Sequence, residues 1–383
     1  MRSHSCTTQV ADPYRAGIDL GEQLRTLTPE VVFLFCAVHY PDPEELLQGL
    51  YDALENDKVI LIGNSGDGFY ETRIAADYGA VALGLNSEGR IRWQISAQTG
   101  AASAPAETTR AALQDLTSGE QPALMFISVD FHADASEVEK VLFHECPTPV
   151  VGGLATDDNR IDTCLLFCNR RLIRDGIVML AAYGEFPFSI HISNTLQPVG
   201  KPGKVDAAVG ALLQQVDGIA AADFVARETG KPVLESDRGI VTLRVTNPDQ
   251  PEQTRLRSII PDASNPEGTL GLYGGIEPGR LIQVCVAHPD ELIREVYQLA
   301  SDSVRADFVA KAALVVSCAG RKWLLGGQIH NEVKAMSDAY PAGLPMAGFP
   351  SSGEFGPMRQ GKGYTRNMFH NMTYVLLLLG DEE

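Results

Sequence analysis

The stretches AALVVSCAGR (residues 312–321) and LPMAGFPSSGEFG (residues 344–356) are the most informative parts of this chain. Each is an apolar run that ends in small and polar residues, and apolar runs of this length predict buried β-strands. Ligands of α/β proteins commonly bind where strands end, because backbone and side chains leave the sheet there. Neither stretch contains a metal, nucleotide or protease motif. The pair therefore predicts a binding site before it predicts a catalytic one.

Polar residues in and just after these stretches are the main site candidates. The guanidinium of Arg321 suits a ligand carboxylate, which it can bind in bidentate fashion, and Glu354 would accept a hydrogen bond from an ammonium. Cys318 is either a buried core thiol or a ligand-facing thiol that a nearby Arg321 would activate. The alternative for each residue is structural, in a turn, a cap or the core. The other candidates in this half are Ser351, Ser352, Asn371 and Thr373, and strand periodicity would place the last two on one face.

The first half contains two further strand ends rich in glycine, GNSGDG (residues 63–68) and GGLATDD (residues 152–158). Neither is a phosphate-binding loop or a dinucleotide fingerprint, because the required spacings and residues are absent. Asn64, Ser65 and Asp67 could each hydrogen-bond a ligand, although such residues equally stabilise turns. Asn64 and Ser65 are the site candidates taken from this turn. Residues 61–68 also echo residues 346–353, with an apolar pair, a Gly and a second Gly five residues later. The echo is consistent with two related half-domains.

Apolar runs alternate with helical patterns along most of the chain, which predicts a mixed α/β fold. We expect two hairpins, one pairing Ala80–Leu85 with Ile91–Ala97 and one pairing Cys164–Asn169 with Ile177–Tyr183. Hairpins join antiparallel strands, so a purely parallel sheet is excluded. The expected architecture is two sheet-and-helix halves with mixed or antiparallel sheets.

A Pro/Gly-rich segment, PVGKPGK at residues 198–204, predicts a boundary between the halves, with no regular element over those residues. The expected division is an N-terminal segment over 1–29, which lacks clear periodicity, a first domain over 30–215 and a second over 216–383. We expect no single sheet to span both halves evenly, and a ligand site where turns from both halves converge.

Composition excludes several classes of function. The 383 residues include 31 basic and 49 acidic side chains, a net charge of −18, so nucleic acids and anionic membranes are poor partners. No apolar run is long enough for a membrane helix, and the N-terminus does not resemble a signal peptide. Seven widely spaced cysteines argue against a disulfide framework and favour the cytoplasm. The Cys and His spacings predict no metal site, and no cofactor is expected.

The motifs described above, in their order along the chain, resemble those of the FIST sensory domain family over about residues 30–380. The resemblance is carried by the Gly-rich turn at 63–68, the Gly-Gly turn at 152–153, CAGR at 318–321, the Gly-Glu pair at 353–354 and HNMT at 370–373. The first turn departs from the family pattern. The family usually has Gly-Glu there, whereas this chain has Gly68-Phe69-Tyr70-Glu71, so the acidic residue stands three places after the glycine. The resemblance implies intracellular sensing of a small ligand such as an amino acid, and it implies no catalytic reaction.

Three functions remain open from the sequence. The leading one is a cytoplasmic small-ligand sensor, whose output would pass to an unidentified separate protein because no kinase, cyclase or receptor segment is recognised. The second is an enzyme, a hydrolase or transferase that uses Cys318, Ser351 or Ser352 as its nucleophile. The third is an interaction scaffold. An enzyme would need a titratable group with a shifted pKa in a pocket, whereas a sensor needs only complementary polar groups.

Overall fold

A computed structural model describes residues 1–158, 160, 162–193, 196–238, 240–261, 267–304 and 307–382. It confirms the mixed α/β class with mixed and antiparallel sheets. The chain forms three α/β units, and the third is interrupted by an inserted unit of antiparallel strands. The first unit contains β1 (Arg2–Thr8), α1 (Pro13–Arg25), β2 (Val31–Ala37), α2 (Pro43–Leu54), β3 (Ile60–Gly66), β4 (Phe69–Glu71), β5 (Ile74–Ala76) and β6 (Ala80–Asn86).

The later units follow in chain order. The second contains β7 (Arg92–Thr99), α3 (Pro105–Thr117), β8 (Leu124–Val129), α4 (Ala135–Glu145), β9 (Val150–Leu154), β10 (Leu166–Cys168), β11 (Arg171–Ile173) and β12 (Gly176–Tyr183). The third begins with β13 (Phe188–Ser193). The inserted unit contains β14 (Pro198–Val209), β15 (Leu212–Val216), β16 (Ile219–Ala220), α5 (Ala221–Thr229), β17 (Val241–Asn247), β18 (Gln250–Ile260), β19 (Leu270–Leu272) and β20 (Leu281–Val286). The third unit then resumes with α6 (Pro289–Ser303), β21 (Val309–Cys318), α7 (Ala319–Leu325), α8 (His330–Ala339), β22 (Met346–Ser351), β23 (Glu354–Gln360), β24 (Gly363–His370) and β25 (Tyr374–Asp381).

The three α/β units build three six-stranded sheets with one shared topology. Their strand orders are β1-β6-β2-β3-β10-β11, β7-β12-β8-β9-β23-β24 and β13-β25-β21-β22-β4-β5. In each sheet the third and fourth strands are parallel, and every other neighbouring pair is antiparallel. The units are therefore related by a pseudo-threefold repeat, which the sequence echo revealed for only two of them.

The last two strands of each sheet come from a different unit. The β4–β5 hairpin of the first unit pairs with β22 of the third, the β10–β11 hairpin of the second pairs with β3 of the first, and the β23–β24 hairpin of the third pairs with β9 of the second. This exchange is cyclic, so each unit both donates and receives a hairpin. The sheets consequently form one interlocked body.

The inner faces of the three sheets share one apolar core. Phe33 of β2 meets Phe126 of β8 edge to face at 5.4 Å between ring centroids, and Phe35 stacks on Phe349 of β22 at 4.8 Å. Helices pack on the outer faces, where α1 and α2 cover the first sheet, α3 and α4 the second, and α6 and α8 the third. The apolar periodicity of the helices matches this one-sided burial.

A glycine stands at the same position in each parallel strand pair. A Cβ atom at these glycines would lie far inside van der Waals contact with a carbonyl oxygen of the neighbouring strand. Only glycine permits such close backbone approach, so the repeated Gly in the sequence has one repeated structural cause. The pairs are Gly63 with Leu34, Gly152 with Ile127 and Gly348 with Val315.

The inserted unit is a closed ring of antiparallel strands with its own core. Its order is β14-β20-β17-β18-β19-β15-β16, and a further β14–β15 pairing closes the ring. Phe224 of α5 and Leu243 of β17 are among its buried core residues. The segment 198–204, expected to lack a regular element, is instead the start of β14, because its backbone pairs with β20.

Several other expectations are corrected by the sheet pairings. Residues 1–29 contain β1 and α1, and the Asp12 side chain caps α1 by accepting a hydrogen bond from the Arg15 amide at 2.9 Å. Neither expected hairpin forms, because β6 and β7 enter different sheets, as do β10 and β12. The expectation that no sheet spans both halves evenly is wrong, since the third sheet takes three strands from each side of residue 215. The 215/216 division itself falls inside β15 and stays a prediction.

Among the described helices, none is both long and apolar enough to cross a membrane.

Candidate functional site

A cavity of about 170 Å³ lies where the ends of β3, β9 and β22 converge. These are the three Gly-rich strand ends, one from each α/β unit. At about 10–15 Å³ per water-sized volume, the cavity has room for roughly 11 to 17 such volumes, which suits a small metabolite. Its lining residues are Asp67, Phe131, Leu154, Thr156, Asp157, Arg238, Ser258, Tyr273, Cys318, Ala319, Gly320, Trp323, Ser351, Ser352, Asn371 and Met372.

Hydrogen bonds between the strand ends hold the cavity wall in place. The Ser65 hydroxyl donates to the Thr156 carbonyl at 2.7 Å, and the Thr156 hydroxyl donates to the Pro350 carbonyl at 3.2 Å. The Ser351 hydroxyl in turn donates to the Leu154 carbonyl at 3.0 Å. All three hydroxyls are buried. Each of them provides a hydrogen-bond partner for a backbone carbonyl at a neighbouring strand end, as buried backbone groups require.

The inserted unit supplies another part of the wall. Arg238 donates to the Tyr273 hydroxyl at 3.0 Å, and both residues line the cavity. Ser258 of β18 lines it as well, and its amide donates to the Asn371 side chain at 3.2 Å. The cavity is thus shared between the α/β body and the inserted unit. Interfaces between structural units are common ligand sites.

The structure brings four of the nine predicted site residues to this cavity. They are Cys318, Ser351, Ser352 and Asn371. Of these, Ser352 is the partly exposed one, and the other three are buried. The five predicted residues that lie outside the lining are Arg321, Glu354, Thr373, Asn64 and Ser65.

Arg321 is fully buried behind the cavity in an ion pair. Its Nε donates to Glu332 at 2.8 Å, and both side chains are 0 % exposed. The guanidinium also donates to the carbonyls of Leu292 and Met372, at 3.0 and 3.3 Å. The Arg therefore fixes the Met372 turn that lines the cavity, and any contact between Arg321 and a ligand stays a prediction. Cys318 is the N-cap of α7, and Ala319–Arg321 form its first turn.

Thr373 and Glu354 contact each other instead of the cavity. The Thr373 hydroxyl donates to Glu354 at 2.8 Å. Asn371 lines the cavity but Thr373 does not, although strand periodicity predicted a shared face. The reason is that β25 starts only at Tyr374, and Met372 adopts a φ of 56°, which makes residues 371–373 a turn.

Asn64 and Ser65 have structural partners. The Asn64 side chain accepts a hydrogen bond from the Ser128 hydroxyl at 2.8 Å and donates to the Ser65 carbonyl at 2.9 Å. The Ser65 hydroxyl accepts from the Leu165 amide at 3.0 Å. These bonds secure the end of β3, and ligand contact by either residue stays a prediction.

Burial raises the pKa of Glu354 to about 8. The unfolded chain loses this proton near pH 4.5, whereas the folded chain keeps it to about pH 8, so this group makes stability fall as pH rises between those values. Glu354→Gln should flatten that fall by a few kcal/mol, at about 1.4 kcal/mol per pKa unit. Denaturant titrations of both proteins from pH 4.5 to 8.5 test this, with Glu137→Gln, a partly exposed carboxylate on α4, as the control. Parallel curves for the Glu354→Gln variant and its parent would contradict the prediction.

The cavity offers weak support for nucleophilic chemistry. Burial raises the pKa of the Cys318 thiol well above its usual range, and the neighbouring Glu354 adds to the effect. Because the thiolate is the reactive form, this thiol is a poor nucleophile at neutral pH. The single proton of the Ser351 hydroxyl faces two carbonyl oxygens, those of Leu154 and Gly353 at 3.0 and 2.7 Å, rather than a general base. In the part of the chain that the structure describes, no cluster of His, Cys, Asp and Glu could hold a metal ion.

Several residues of the cavity lining were not among the sequence-based site candidates. Asp67 of the GNSGDG turn was considered as a hydrogen-bonding group with Asn64 and Ser65, but only those two were taken as candidates. Trp323 follows CAGR by two residues, and a large aromatic side chain just after a strand-end motif was a usable signal. No local pattern marks the residues of the inserted unit, since they come from separate elements. They are Arg238, Ser258 and Tyr273.

A larger cavity of about 370 Å³ lies between α4 and the inserted unit. Its main charged groups are paired with one another: Arg255 with Glu139 at 2.6 Å and with Glu277 at 2.9 Å, and Glu277 with Arg280 at 3.1 Å. A charged side chain that is already in an ion pair within the protein is less available to bind a ligand than an unpaired one. The smaller cavity is for that reason the better candidate site.

Two domain models match the chain, the FIST N domain over residues 30–219 and the FIST C domain over residues 220–357. An uncharacterized protein of Mycobacterium tuberculosis (strain H37Rv) is 24% identical over 247 residues, and one of Mycobacterium bovis is 24% identical over 248 residues. Each alignment covers 61% of this chain and 61% of the relative, so the chain spans about three fifths of the length of these curated relatives.

Among solved structures, T. maritima PurL complexed with ATP aligns over 99% of this chain and 71% of that chain, with 12% identity and a TM-score of 0.21. A likeness at this score supports no statement about fold or ligand.

Proposed function

This chain belongs to the FIST family, and we propose that it binds an amino acid or a related small metabolite in the cavity at the strand ends. FIST domains are sensory, ligand-binding domains of signal transduction. The observation that carries the proposal is the convergence of all three Gly-rich strand ends on one cavity, which the inserted unit completes. Four residues predicted from the sequence to contact a ligand line that cavity.

The lining provides both charges that a zwitterion requires. Arg238 is the cationic group on the wall and would face a carboxylate, while Asp67 and Asp157 are the anionic groups. Phe131, Leu154 and Trp323 give the cavity apolar surface for a side chain. A wall with apolar area and a few convergent polar groups is typical of small-molecule sites.

We further propose that the protein acts in the cytoplasm and passes its signal to a separate protein. All seven cysteines are free and buried, a pattern that fits a reducing compartment. The identity of the downstream partner stays open. A ligand held between the α/β body and the inserted unit would stabilise one arrangement of the two, and a partner that recognises that arrangement would receive the signal.

A thermal-shift screen of amino acids and related metabolites tests the proposal. A ligand at a hundred times its Kd should add about 2.7 kcal/mol to the free energy of unfolding. Ser352→Trp should abolish the shift, because this partly exposed side chain lies on the cavity wall and the indole would fill the space. Ser118→Trp, at an exposed helix end, is the matched control. An unchanged shift in the Ser352→Trp variant would place the binding site elsewhere.

A further inference from the structure

In the part of the chain that the structure describes, two buried polar atoms of the cavity wall have no hydrogen-bond partner. Asp67 is 2% exposed, and its Oδ1 accepts from the Asp158 amide at 2.6 Å. The Thr156 hydroxyl lies near this carboxylate but donates to the Pro350 carbonyl at 3.2 Å, so Asp67 Oδ2 accepts a hydrogen bond from no described residue. Ser258 is 4% exposed, and its hydroxyl is likewise unpartnered among the described residues. Unsatisfied buried groups are costly and uncommon, so each one calls for an explanation.

The two atoms belong to different parts of the fold that meet at the cavity. Asp67 follows β3 in the first unit, and Ser258 lies in β18 of the inserted unit. One ligand group with several N–H donors could satisfy both. The other wall carboxylate is already occupied, because Asp157 accepts hydrogen bonds from the amides of Asp162 and Thr163 at 2.6 and 3.0 Å.

We infer that the ligand carries a protonated amine, which donates to Asp67 Oδ2 and to Ser258 Oγ and so bridges the first unit and the inserted unit. This inference rests on the proposed function. An ammonium supplies three hydrogen-bond donors and a positive charge. Its charge-assisted hydrogen bonds to a carboxylate are stronger than hydrogen bonds between neutral groups.

The surroundings of Asp67 favour an amine from a ligand over a cation from the protein. Lys322 is nearby, but its ammonium donates to the Asp67 backbone carbonyl and pairs with the Asp77 carboxylate at 2.7 Å. Among the described residues, the Asp67 carboxylate therefore forms no salt bridge, although the charge of Lys322 lies near it. Phe131 and Trp323 line the same cavity, and aromatic faces attract cations.

The test compares pairs of probes that differ only in the amine, together with amines that lack a carboxylate. The panel contains L-amino acids, the 2-hydroxy acids with the same carbon skeletons, and primary alkylamines of two to five carbons. Affinity for the full-length protein is measured by calorimetry. We expect one or more of the amines to bind, and we expect each matched hydroxy acid to bind roughly thirtyfold more weakly or worse, because the carboxylate is then left unpaired.

Variants assign the effect to the two residues. Asp67→Asn keeps the shape and the Oδ1 acceptor, and it should weaken amine binding roughly thirtyfold or more. Ser258→Ala should weaken it roughly fivefold, as expected for one neutral hydrogen bond. Asp158→Asn is the control, since it removes a neighbouring charge outside the cavity lining, and Asn tolerates the local φ of 60°. Thermal unfolding of each free variant confirms that it is folded.

The outcomes separate this inference from the proposed function. Tight binding of a hydroxy acid or another ligand without an amine, abolished by Ser352→Trp, would overturn the amine inference and leave the sensor cavity intact. Amine binding that survives Asp67→Asn would do the same. If no compound of the panel or of the wider metabolite screen binds, both proposals fail. The comparison of probes on the parent protein decides the matter even if a variant misfolds.

Discussion

Replacing Arg321 by methionine should lower the free energy of unfolding by about 3–5 kcal/mol, because it leaves a buried charge without its partner. Glu332 is 0% exposed and pairs with the Arg321 Nε at 2.8 Å. The variant also loses the hydrogen bond from the guanidinium to the Met372 carbonyl. We therefore expect weaker ligand binding as well, through a displaced cavity wall rather than through a lost contact with the ligand.

Chemical denaturation measures this loss, with Arg294→Met as the matched control because Arg294 is exposed on α6. The double variant Arg321→Met with Glu332→Gln should recover part of the stability, since the orphaned charge is then removed. A single variant as stable as its control would show that the ion pair contributes little. A double variant no better than the single one would show that packing, not charge, holds this region.

Replacing Glu139 by glutamine should cost a similar amount, about 3–5 kcal/mol, and should loosen the inserted unit. Glu139 of α4 accepts from Arg255 at 2.6 Å and from the fully buried Arg257 at 2.7 Å, and both arginines lie on β18. Burial alone would raise the pKa of Glu139, but the two guanidinium groups outweigh it and lower the pKa. The carboxylate is thus ionised in the folded protein, and its ion pairs hold β18 against α4 of the α/β body.

Hydrogen exchange locates the effect of this variant. Amides of β17 and β18 should exchange faster, while those of β2 and β8 should change little. Because Ser258 neighbours Arg257 on β18, cavity ligands should also bind more weakly. Glu137→Gln is the control on the same helix, where the side chain is 40% exposed and pairs with Lys140 at 2.5 Å. Uniform acceleration across all strands would mean that Glu139 stabilises the whole fold rather than this junction.

Local features of the fold were predictable from the sequence, whereas strand partnership was not. Apolar spacing and an N-terminal proline are local signals that predict a helix over Pro43–Leu54, and α2 has these bounds. The strand Ala80–Leu85 was also found, but its partner was misassigned. Each sheet is completed by a hairpin from another unit, and no short window of sequence contains that information.

In the candidate site, too, local features were predictable from the sequence and tertiary contacts were not. Ser351 and Ser352 could be placed at the cavity because they stand at a strand end that the chain marks with glycine, and Asn371 because it stands just before the last strand. Arg321 also stands at a strand end, yet its direction is set by Glu332, eleven residues further on in a helix packed across it. Composition reveals a charge, but only tertiary packing decides whether that charge faces a ligand or a buried partner.

The cyclic exchange of hairpins has a consequence for how this family can be dissected. A fragment that ends at residue 219, where the first domain match ends, would carry β9 without β23 and the β4–β5 hairpin without β22. The complementary fragment would expose the edge of β22. Open edges of this kind invite aggregation. The two matched segments are thus adjacent in sequence but depend on each other for folding. The third sheet can be completed only after β25 has been synthesised, because β25 lies between β13 and β21.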